Sequence, residues 1–483
     1  MALHSHAIVV IGGGFSGTVL AANLLRRPPA HAAHIVLVER SAEPGRGLAY
    51  ARRSHPYLLN VPAGRMSAES DRPGAFLDFV RRRNSQVAAG DFVPRAWYGD
   101  YLHALLLASE RIAPARIRFE RMQGEAVDVK RDGRGLRIAL ADGRELFADD
   151  LVLACGNPPP ARLPALQAVQ HHPRHVANGC ADDHGQRYHG TVLLIGTGLT
   201  MADVAVAAAE RDDVVLHAIS RHGLVPSGQT LAGGHGAGSA DLPLRLGKAR
   251  TVRELLRSAR TLAGELQQCG GDWRDVVAAI RERAPQIWRD LDVTERQRFL
   301  RHLRPYWDIH RHRLPAQIHA HLMQLRDCGR LHVHAGRVVE ARPEDGRLQV
   351  SWRPRGEDSV QLMGVDWVVN CTGPDYDIRR TRNPLLQSLL RGALAAADES
   401  GLGLRTGAHG ALLDSAGRTS RNLYCLGPLL RAAHWESTAV AELRGHAESL
   451  AAHLAGAEVR WPSMAGHKES GPPVRRAARQ ANV

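Results

Sequence analysis

Two six-residue runs in the chain carry glycine at their first and third positions, and each comes after an apolar stretch. The first is Gly12-Gly13-Gly14-Phe15-Ser16-Gly17, behind AIVVI. The second is Gly196-Thr197-Gly198-Leu199-Thr200-Met201, behind TVLLI. In such a run the first glycine permits a tight turn, and the second lets the backbone approach a diphosphate. The third lets the next helix pack closely on the strand. The helix N-terminus then offers free N–H groups and a positive dipole to phosphate. Each run therefore predicts a dinucleotide site. Met201, where a third glycine would stand, predicts looser packing of the second helix.

The segments downstream of the two runs distinguish the two sites. HIVLVER ends in Glu39-Arg40, and a carboxylate there accepts hydrogen bonds from both ribose hydroxyls of an adenosine. Glu43-Pro44-Gly45-Arg46-Gly47 reads as a loop lining the ribityl and pyrophosphate arm of FAD, with Arg46 and Gly47 in contact. Leu426-Gly427-Pro428 again places glycine after an apolar strand and before a helix. That helix N-terminus is expected at the flavin end, where it stabilises negative charge on the reduced ring. The strand after the second run, VVLHAIS, ends in Ser220-Arg221-His222 instead of a carboxylate. Serine with arginine suits a 2′-phosphate, so NADPH is expected there over NADH. The alternative is a solvated Arg221. Gly156 and Gly373, after DLVLAC and DWVVNCT, complete the cofactor-contact set.

Three further segments offer groups for the reaction. Within Leu59–Ser67, Asn60, Met66 and Ser67 are placed at the flavin, the Asn60 amide and Ser67 hydroxyl bonding the ring edge, and Arg65 could stabilise an anionic ring. Asn60 could equally be bonded inside its own loop. In His434-Trp435-Glu436-Ser437-Thr438, Ser437 or Thr438 could cap the last helix and turn its amides to the ring. Arg304–Arg313 (RPYWDIHRHR) is dense in arginine and histidine. It is either a site for one or two carboxylates or a solvated helix end. On the first reading Arg65, His310, His312 and Arg313 form the catalytic set, His310 or His312 being the base that frees an amine near neutral pH. A metal site from His310-Arg311-His312 lacks further ligands at known spacing.

The elements needed to hold these groups repeat along the chain. Each half runs strand, glycine loop, helix, strand, β-meander, then an apolar strand ending near a Cys and a Gly. This predicts an α/β protein with two Rossmann-type dinucleotide-binding units, the second inserted in the first. The expected divisions are 1–160 for the first part of the FAD-binding domain, 190–365 for the NADPH-binding domain and 366–460 for the FAD domain's C-terminal part. Helical periodicity predicts an insertion at about 244–327. Residues 226–243 read as a mobile Gly/Ser/Ala loop and 462–483 as a disordered tail.

The bulk composition narrows the class. A 44% apolar and 23% charged chain of 483 residues fits a multi-domain globular protein. The formal charge of +14 invites nucleic acid. Only Lys130, Lys248 and Lys468 are lysines, however, and the arginines are spread over the whole length, so no nucleic-acid partner is expected. No apolar run reaches membrane-span length and the N-terminus lacks signal-peptide character, so a cytoplasmic location is expected. The six cysteines form no close pair, which argues against zinc and against a redox-active disulfide.

Several motifs together resemble the FAD/NAD(P)-binding proteins often known only by those cofactors, the YdhS-like group. They are VIGGGFSG, GRGLAY, LLNVPAGRMSA, FVPRAWYGDYL, LACGNPPP, LLIGTGLTMAD, ISRHGLVP, RPYWDIHRHRLP and GPLLRAAHWESTAVAELR, and they cover nearly the whole chain. Cys155 stands where many of that group have Thr, which reads as tolerated packing. The resemblance extends to flavin-dependent amine N-monooxygenases such as the nitrosuccinate-forming aspartate monooxygenases. It implies an FAD-dependent, NADPH-using enzyme that N-oxygenates a small amine or amino acid with molecular oxygen, through a flavin C4a-hydroperoxide. An NADPH-dependent flavin reductase without oxygen transfer, or a non-enzymatic FAD-binding protein, is the alternative. Two dinucleotide sites argue against the latter.

Overall fold

The computed structural model describes residues 5–182, 187–229 and 250–457. Most of the expected Gly/Ser/Ala loop, the start of the helical insertion and the whole C-terminal tail lie outside the described residues. β1 (His6–Ile11) enters the first glycine loop and α1 (Phe15–Arg26), then comes β2 (Ala33–Glu39). After α2 (Ala75–Arg81) and α3 (Arg95–Arg111) come β3 (Ile117–Gln123), β4 (Ala126–Asp132), β5 (Gly135–Leu140), β6 (Glu145–Ala148) and β7 (Asp150–Leu153). The second unit runs β8 (His175–Val176), β9 (Gly190–Ile195), α4 (Leu199–Ala208) and β10 (Val214–Ser220). Its helical insertion contains α5 (Val252–Gln268), α6 (Trp273–Asp290), α7 (Val293–Arg298), a π-helical turn at Phe299–Leu303, α8 (Arg304–Arg311) and α9 (Ala316–Asp327). Next are β11 (Leu331–Glu344), β12 (Arg347–Pro354), β13 (Gln361–Val365) and β14 (Trp367–Asn370). The chain returns through α10 (Pro384–Arg391), β15 (Ala411–Leu413), β16 (Thr419–Cys425) and α11 (Val440–Leu454).

These strands form a six-stranded sheet ordered β15-β16-β7-β1-β2-β3, a seven-stranded sheet ordered β13-β12-β11-β10-β9-β14-β8, and a three-stranded meander β4-β5-β6. The central strands are parallel and buried on both faces, which is why AIVVI, TVLLI and WVVN read as continuous apolar runs. The fold is thus the expected pair of Rossmann-type units. Two local readings change. A further parallel strand stands between β2 and the first meander: the segment RIRFERMQ contains β3, the edge strand of the sheet, paired with β2 from Ala33↔Ile117 to Glu39↔Gln123. Trp367–Asn370 pairs with β9 and so extends the second sheet past residue 365.

The second meander is continuous with its sheet. The first part of β11 runs parallel to β10, and beyond Ala335 the same strand pairs antiparallel with β12. The insertion packs back on the first unit. Trp288 Nε1 donates to the Ala432 carbonyl at 2.8 Å, Arg281 to Glu442 at 2.9 Å, and Arg311 Nε to Glu436 at 2.9 Å.

Candidate functional site

The same arrangement is built at the C-terminal edge of each parallel sheet. The Gly12 amide donates to the Val38 carbonyl at 2.8 Å, and Ala154 N donates to Ile11 O at 2.8 Å. In the second unit Gly196 N donates to Ile219 O, and Cys371 N to Ile195 O, both at 2.8 Å. Gly12 has φ +105° and Gly196 φ +107°. A Cβ on Gly12 would lie 2.3 Å from Ala154 O, and one on Gly196 2.5 Å from Cys371 O, so neither turn admits a side chain. Both helices start from a glycine N-cap, Gly14 and Gly198, with no side chain capping the first-turn amides. Those amides stay available to an anion.

The third position differs between the loops as its residue demands. A Cβ on Gly17 would sit 1.9 Å from Gly12 O. Met201 carries a whole side chain there, fully buried among Val192, Leu194 and Ala218.

Around the first loop, Glu39 Oε2 accepts from Gly13 N at 2.6 Å and Oε1 from Ser41 N at 3.0 Å. The carboxylate therefore sits against the glycine loop at the end of β2. Arg40 points outward, 3.8 Å from Glu125. Phe15 is turned into the core beside Tyr98, leaving its backbone to the loop. Gly45 N donates to Gly13 O at 2.7 Å, and Gly47, at φ +50°, faces Gly14. Arg46 is buried and largely spent on structure: Nε binds Glu43 and one terminal nitrogen binds Asp100, each at 2.6 Å. Its other terminal nitrogen is buried without a partner. A Cβ on Gly427 would lie 3.2 Å from the Ser16 hydroxyl, which places Gly427-Pro428 against the same loop. Gly156, Gly198 and Gly373 face open space.

The capping expectation for Ser437 and Thr438 is corrected. Gly427-Pro428 opens a 3-10 turn, Pro428–Leu430, and α11 begins only after Ala439, its N-cap, with no side-chain cap. The Ser437 hydroxyl is instead fully buried and has no partner. Ser67 is corrected too. It is buried, and its hydroxyl is used within its own turn, donating to Arg72 O at 2.7 Å and accepting from Glu69 N at 3.1 Å. Met66 is buried in the core beside it. Asn60 lies between the units, its carbonyl taking Gln229 Nε2 at 2.6 Å.

At the end of β10 the Ser220 hydroxyl accepts from Thr197 Oγ1 at 2.9 Å and from Gly223 N at 3.0 Å, so it shapes the turn. Leu199 packs on the second core, and Thr200 lines a cavity between the units. Arg221 is exposed. The neighbouring His222 Nδ1 accepts from the Arg355 guanidinium at 2.7 Å. Partial burial, then Arg355 and Arg221, hold the His222 imidazole below its ordinary pKa, hence neutral. Arg355, from the turn after β12, escaped the sequence reading because nothing in RPRGED marks it as a neighbour of β10.

The basic run on α8 is neither a solvated end nor free for a ligand throughout. Arg311 pairs with the buried Glu436, and Arg304 lies 3.4 Å from Asp308. Burial, with Arg311, Arg431 and Arg304 nearby, drives His312 down to about 3. It cannot serve as the base near neutral pH, because a base that weak takes up almost no proton there. His310 Nδ1 lies 2.7 Å from the Tyr306 carbonyl, and its ring meets Trp273 edge to face at 4.9 Å. Arg313 is half-buried, and its charge is opposed by burial, Arg274, Arg311 and Arg65 and favoured by Asp272. Arg65 and Arg313 are thus brought near each other from separate units, and neither has an ion-pair partner among the described residues.

The sequence reading also missed the buried group behind this run. The Arg431 guanidinium stacks over Trp435 at 4.1 Å and over Tyr376 at 5.0 Å, and Tyr376 donates to Asn157 Oδ1 at 2.8 Å. Burial raises the Asp308 carboxyl above its ordinary value despite Arg304 and Arg431. Cys155 shows the same effect, burial pushing its thiol up to about 11, which suits packing and not reactivity.

The cavity between the units has a volume of about 360 Å³ and is lined by Leu48, Arg53, Trp97, Cys180, Thr200 and Asp203 among others. Arg95 spans it, donating to both Asp203 oxygens at 2.7 and 3.1 Å. No helix among the described residues is long and apolar enough to cross a membrane.

Residues 9–158 match a family model described as FAD-NAD(P)-binding. No protein of curated function matches the sequence. Among solved structures, the chain is similar to ornithine hydroxylase from Pseudomonas aeruginosa, with 16% identity over 94% of this chain and 99% of that one, TM-score 0.63. L-lysine 6-monooxygenase from Pseudomonas syringae gives 17% identity over 93% and 100%, TM-score 0.62. The FAD-bound cadaverine monooxygenase of desferrioxamine biosynthesis from Erwinia amylovora gives 13% identity over 100% of both chains, TM-score 0.63. At these identities the likeness establishes the fold, an FAD/NAD(P)-binding α/β architecture along nearly the whole chain.

Proposed function

We propose that this chain is an FAD-dependent, NADPH-using monooxygenase that N-oxygenates a small amine or amino acid. One observation carries the reading. Two glycine loops are built to the same hydrogen-bond plan at the edges of two parallel sheets, and both units border one cavity. The family match over residues 9–158 supports FAD at the first loop, and the amine-oxygenating neighbours share the fold end to end.

The residues fit the two cofactors. The first-turn amides of α1, Glu39 and the space before Gly156 would hold the FAD diphosphate and adenosine. The partnerless Ser437 hydroxyl and Arg46 nitrogen are buried polar atoms that a polar ligand would satisfy. Gly198, Thr200, Arg221 and Arg355 would hold NADPH, the two arginines on the 2′-phosphate. FAD, when bound, supplies hydride acceptance and activation of molecular oxygen. The protein binds and orients both nucleotides and keeps water from the reacting ends. It also holds the amine near Arg65 and Arg313, which attract a substrate carboxylate. His312, with its low pKa, adds no positive charge beside them.

The test is to purify the protein, add excess FAD, and measure NADPH oxidation, oxygen uptake, hydroxylamine formation and peroxide release with a panel of amines and amino acids. Hydroxylamine matching the oxygen consumed is expected for the right substrate. Peroxide equal to NADPH oxidised with every amine would point instead to a flavin reductase. A protein that stays colourless in excess FAD overturns the reading.

A further inference from the structure

The helical insertion lines a second pocket of about 520 Å³, open to solvent on one side and separate from the one between the two units. Trp273, Val276, Ile280, Trp288, Phe299 and Trp435 give its character: an aromatic cage flanked by aliphatic side chains from α5 and α6. Trp288 stacks on Trp435 at 4.9 Å, and Phe299 meets Trp435 edge to face at 5.1 Å. Its wall is shared with the buried group around Arg431. Trp435 is 4% exposed, lies two residues from the partnerless Ser437, and carries Arg431 over its ring.

The ionisable groups that line this cavity are cationic or neutral, while Asp272 lies behind the wall. No carboxylate lines it among the described residues; its ionisable lining groups are Arg260, His310 and the Tyr306 phenol. Behind Trp273 the Arg274 guanidinium lies 4.5 Å from the indole ring and is paired with Asp272 at 2.9 Å. A diamine or other dication would enter such a space with no counter-charge, at the cost of its own desolvation. Trp307 and Trp435, both on the lining, have buried indole N–H donors without acceptors. A ligand with an apolar body and an acceptor group would fill the cage and satisfy such donors.

We propose that this cavity selects the substrate, taking the apolar side chain of a carboxylate-bearing amine, in class an aromatic or large aliphatic amino acid, whose carboxylate is drawn to Arg260 on the lining. This rests on the amine-oxygenating function proposed for the chain and narrows it, away from small dicarboxylic or dicationic amines.

Calorimetric titration of the FAD-loaded protein tests it without turnover, so a failure of the oxygenase reading leaves it measurable. The probes are L-phenylalanine, 3-phenylpropionate, phenethylamine, L-aspartate and cadaverine. L-phenylalanine and 3-phenylpropionate should bind at least about tenfold more tightly than L-aspartate and cadaverine. Ala259→Phe, which fills the cavity from α5, should weaken L-phenylalanine by about tenfold or more, with the melting temperature checked to show the variant folded. Arg260→Gln should weaken the two acids and spare phenethylamine. Binding of aspartate or cadaverine as tight as phenylalanine overturns the proposal, as does an Ala259→Phe protein that is folded and binds phenylalanine unchanged. A wild-type dimer that Ala259→Phe converts to monomer would likewise overturn it, showing that a second copy fills the cage.

Discussion

At the scale of single residues, the pyridine-nucleotide preference turns on Arg221 and Arg355. They flank a neutral His222 from the turns that follow two different strands, and both are exposed. A guanidinium with no carboxylate of its own loses little hydration when it meets a phosphate and gains a charge-assisted pair. Arg221→Ala is therefore expected to raise KM for NADPH by about tenfold, roughly 1.4 kcal/mol, and to change KM for NADH little. Arg355→Ala should act in the same direction. Steady-state kinetics with both nucleotides checks this, and equal effects on the two remove the 2′-phosphate assignment. Arg46 behaves differently although its sequence context looked similar. Its guanidinium is held by Glu43 and Asp100, and Asp100 also takes Arg52 and Arg83, so its main work is tying residues 43–47 to α3.

At the scale of elements, the glycine loops carry the sharpest predictions. A methyl group on Gly12 or Gly196 would press into the carbonyl beyond the neighbouring strand, at a backbone angle that L-residues avoid. Gly12→Ala should yield protein that loses its yellow colour on gel filtration. Gly196→Ala should keep the flavin and lose reduction by NADPH, which absorbance at the flavin band reports. Those loops were legible because strand, turn and helix N-terminus are local in sequence. So was the pairing of two units, since parallel strands buried on both faces leave unbroken apolar runs. The arrangement around α8 was not legible. Whether Arg311 is free or bound depends on Glu436, and whether His312 can act as a base depends on burial by elements over a hundred residues away. For the same reason residue types alone offered Ser67 and Ser437 as equivalent hydroxyls. The fold spends the first in its own turn and buries the second without a partner.

At the scale of the whole molecule, two features couple the parts. The Arg95–Asp203 pair joins α3 of the first unit to α4 of the second, each side chain about a quarter exposed. Burial raises the Asp203 carboxyl above its ordinary pKa in spite of Arg95, so the pair acts as a clamp on position and not as a net source of stability. Asp203→Asn should leave FAD binding intact and slow NADPH-dependent flavin reduction, because the units lose the clamp that sets their relative position. Stopped-flow reduction compared with flavin affinity separates the two effects. Acid stability draws on the same burial across the molecule. Burial chiefly holds His217 and His434 near about 4 and His312 and His446 near about 3. Their unfolded pKa is near 6.5, so below that pH the unfolded chain binds protons that the native protein does not. Stability then rises with pH wherever the unfolded state holds more protons, and is lost as pH falls from about 6.5 toward 4. Each such histidine steepens the loss by up to about 1.4 kcal/mol per pH unit within that window. The melting temperature should accordingly fall steeply between pH 6 and pH 4.5, ahead of ordinary carboxylate titration. His446→Gln, if it folds, should flatten that slope by about one proton. A melting temperature flat down to pH 4.5 would mean that these rings are protonated in the native protein, and that their surroundings are wetter than the packing indicates.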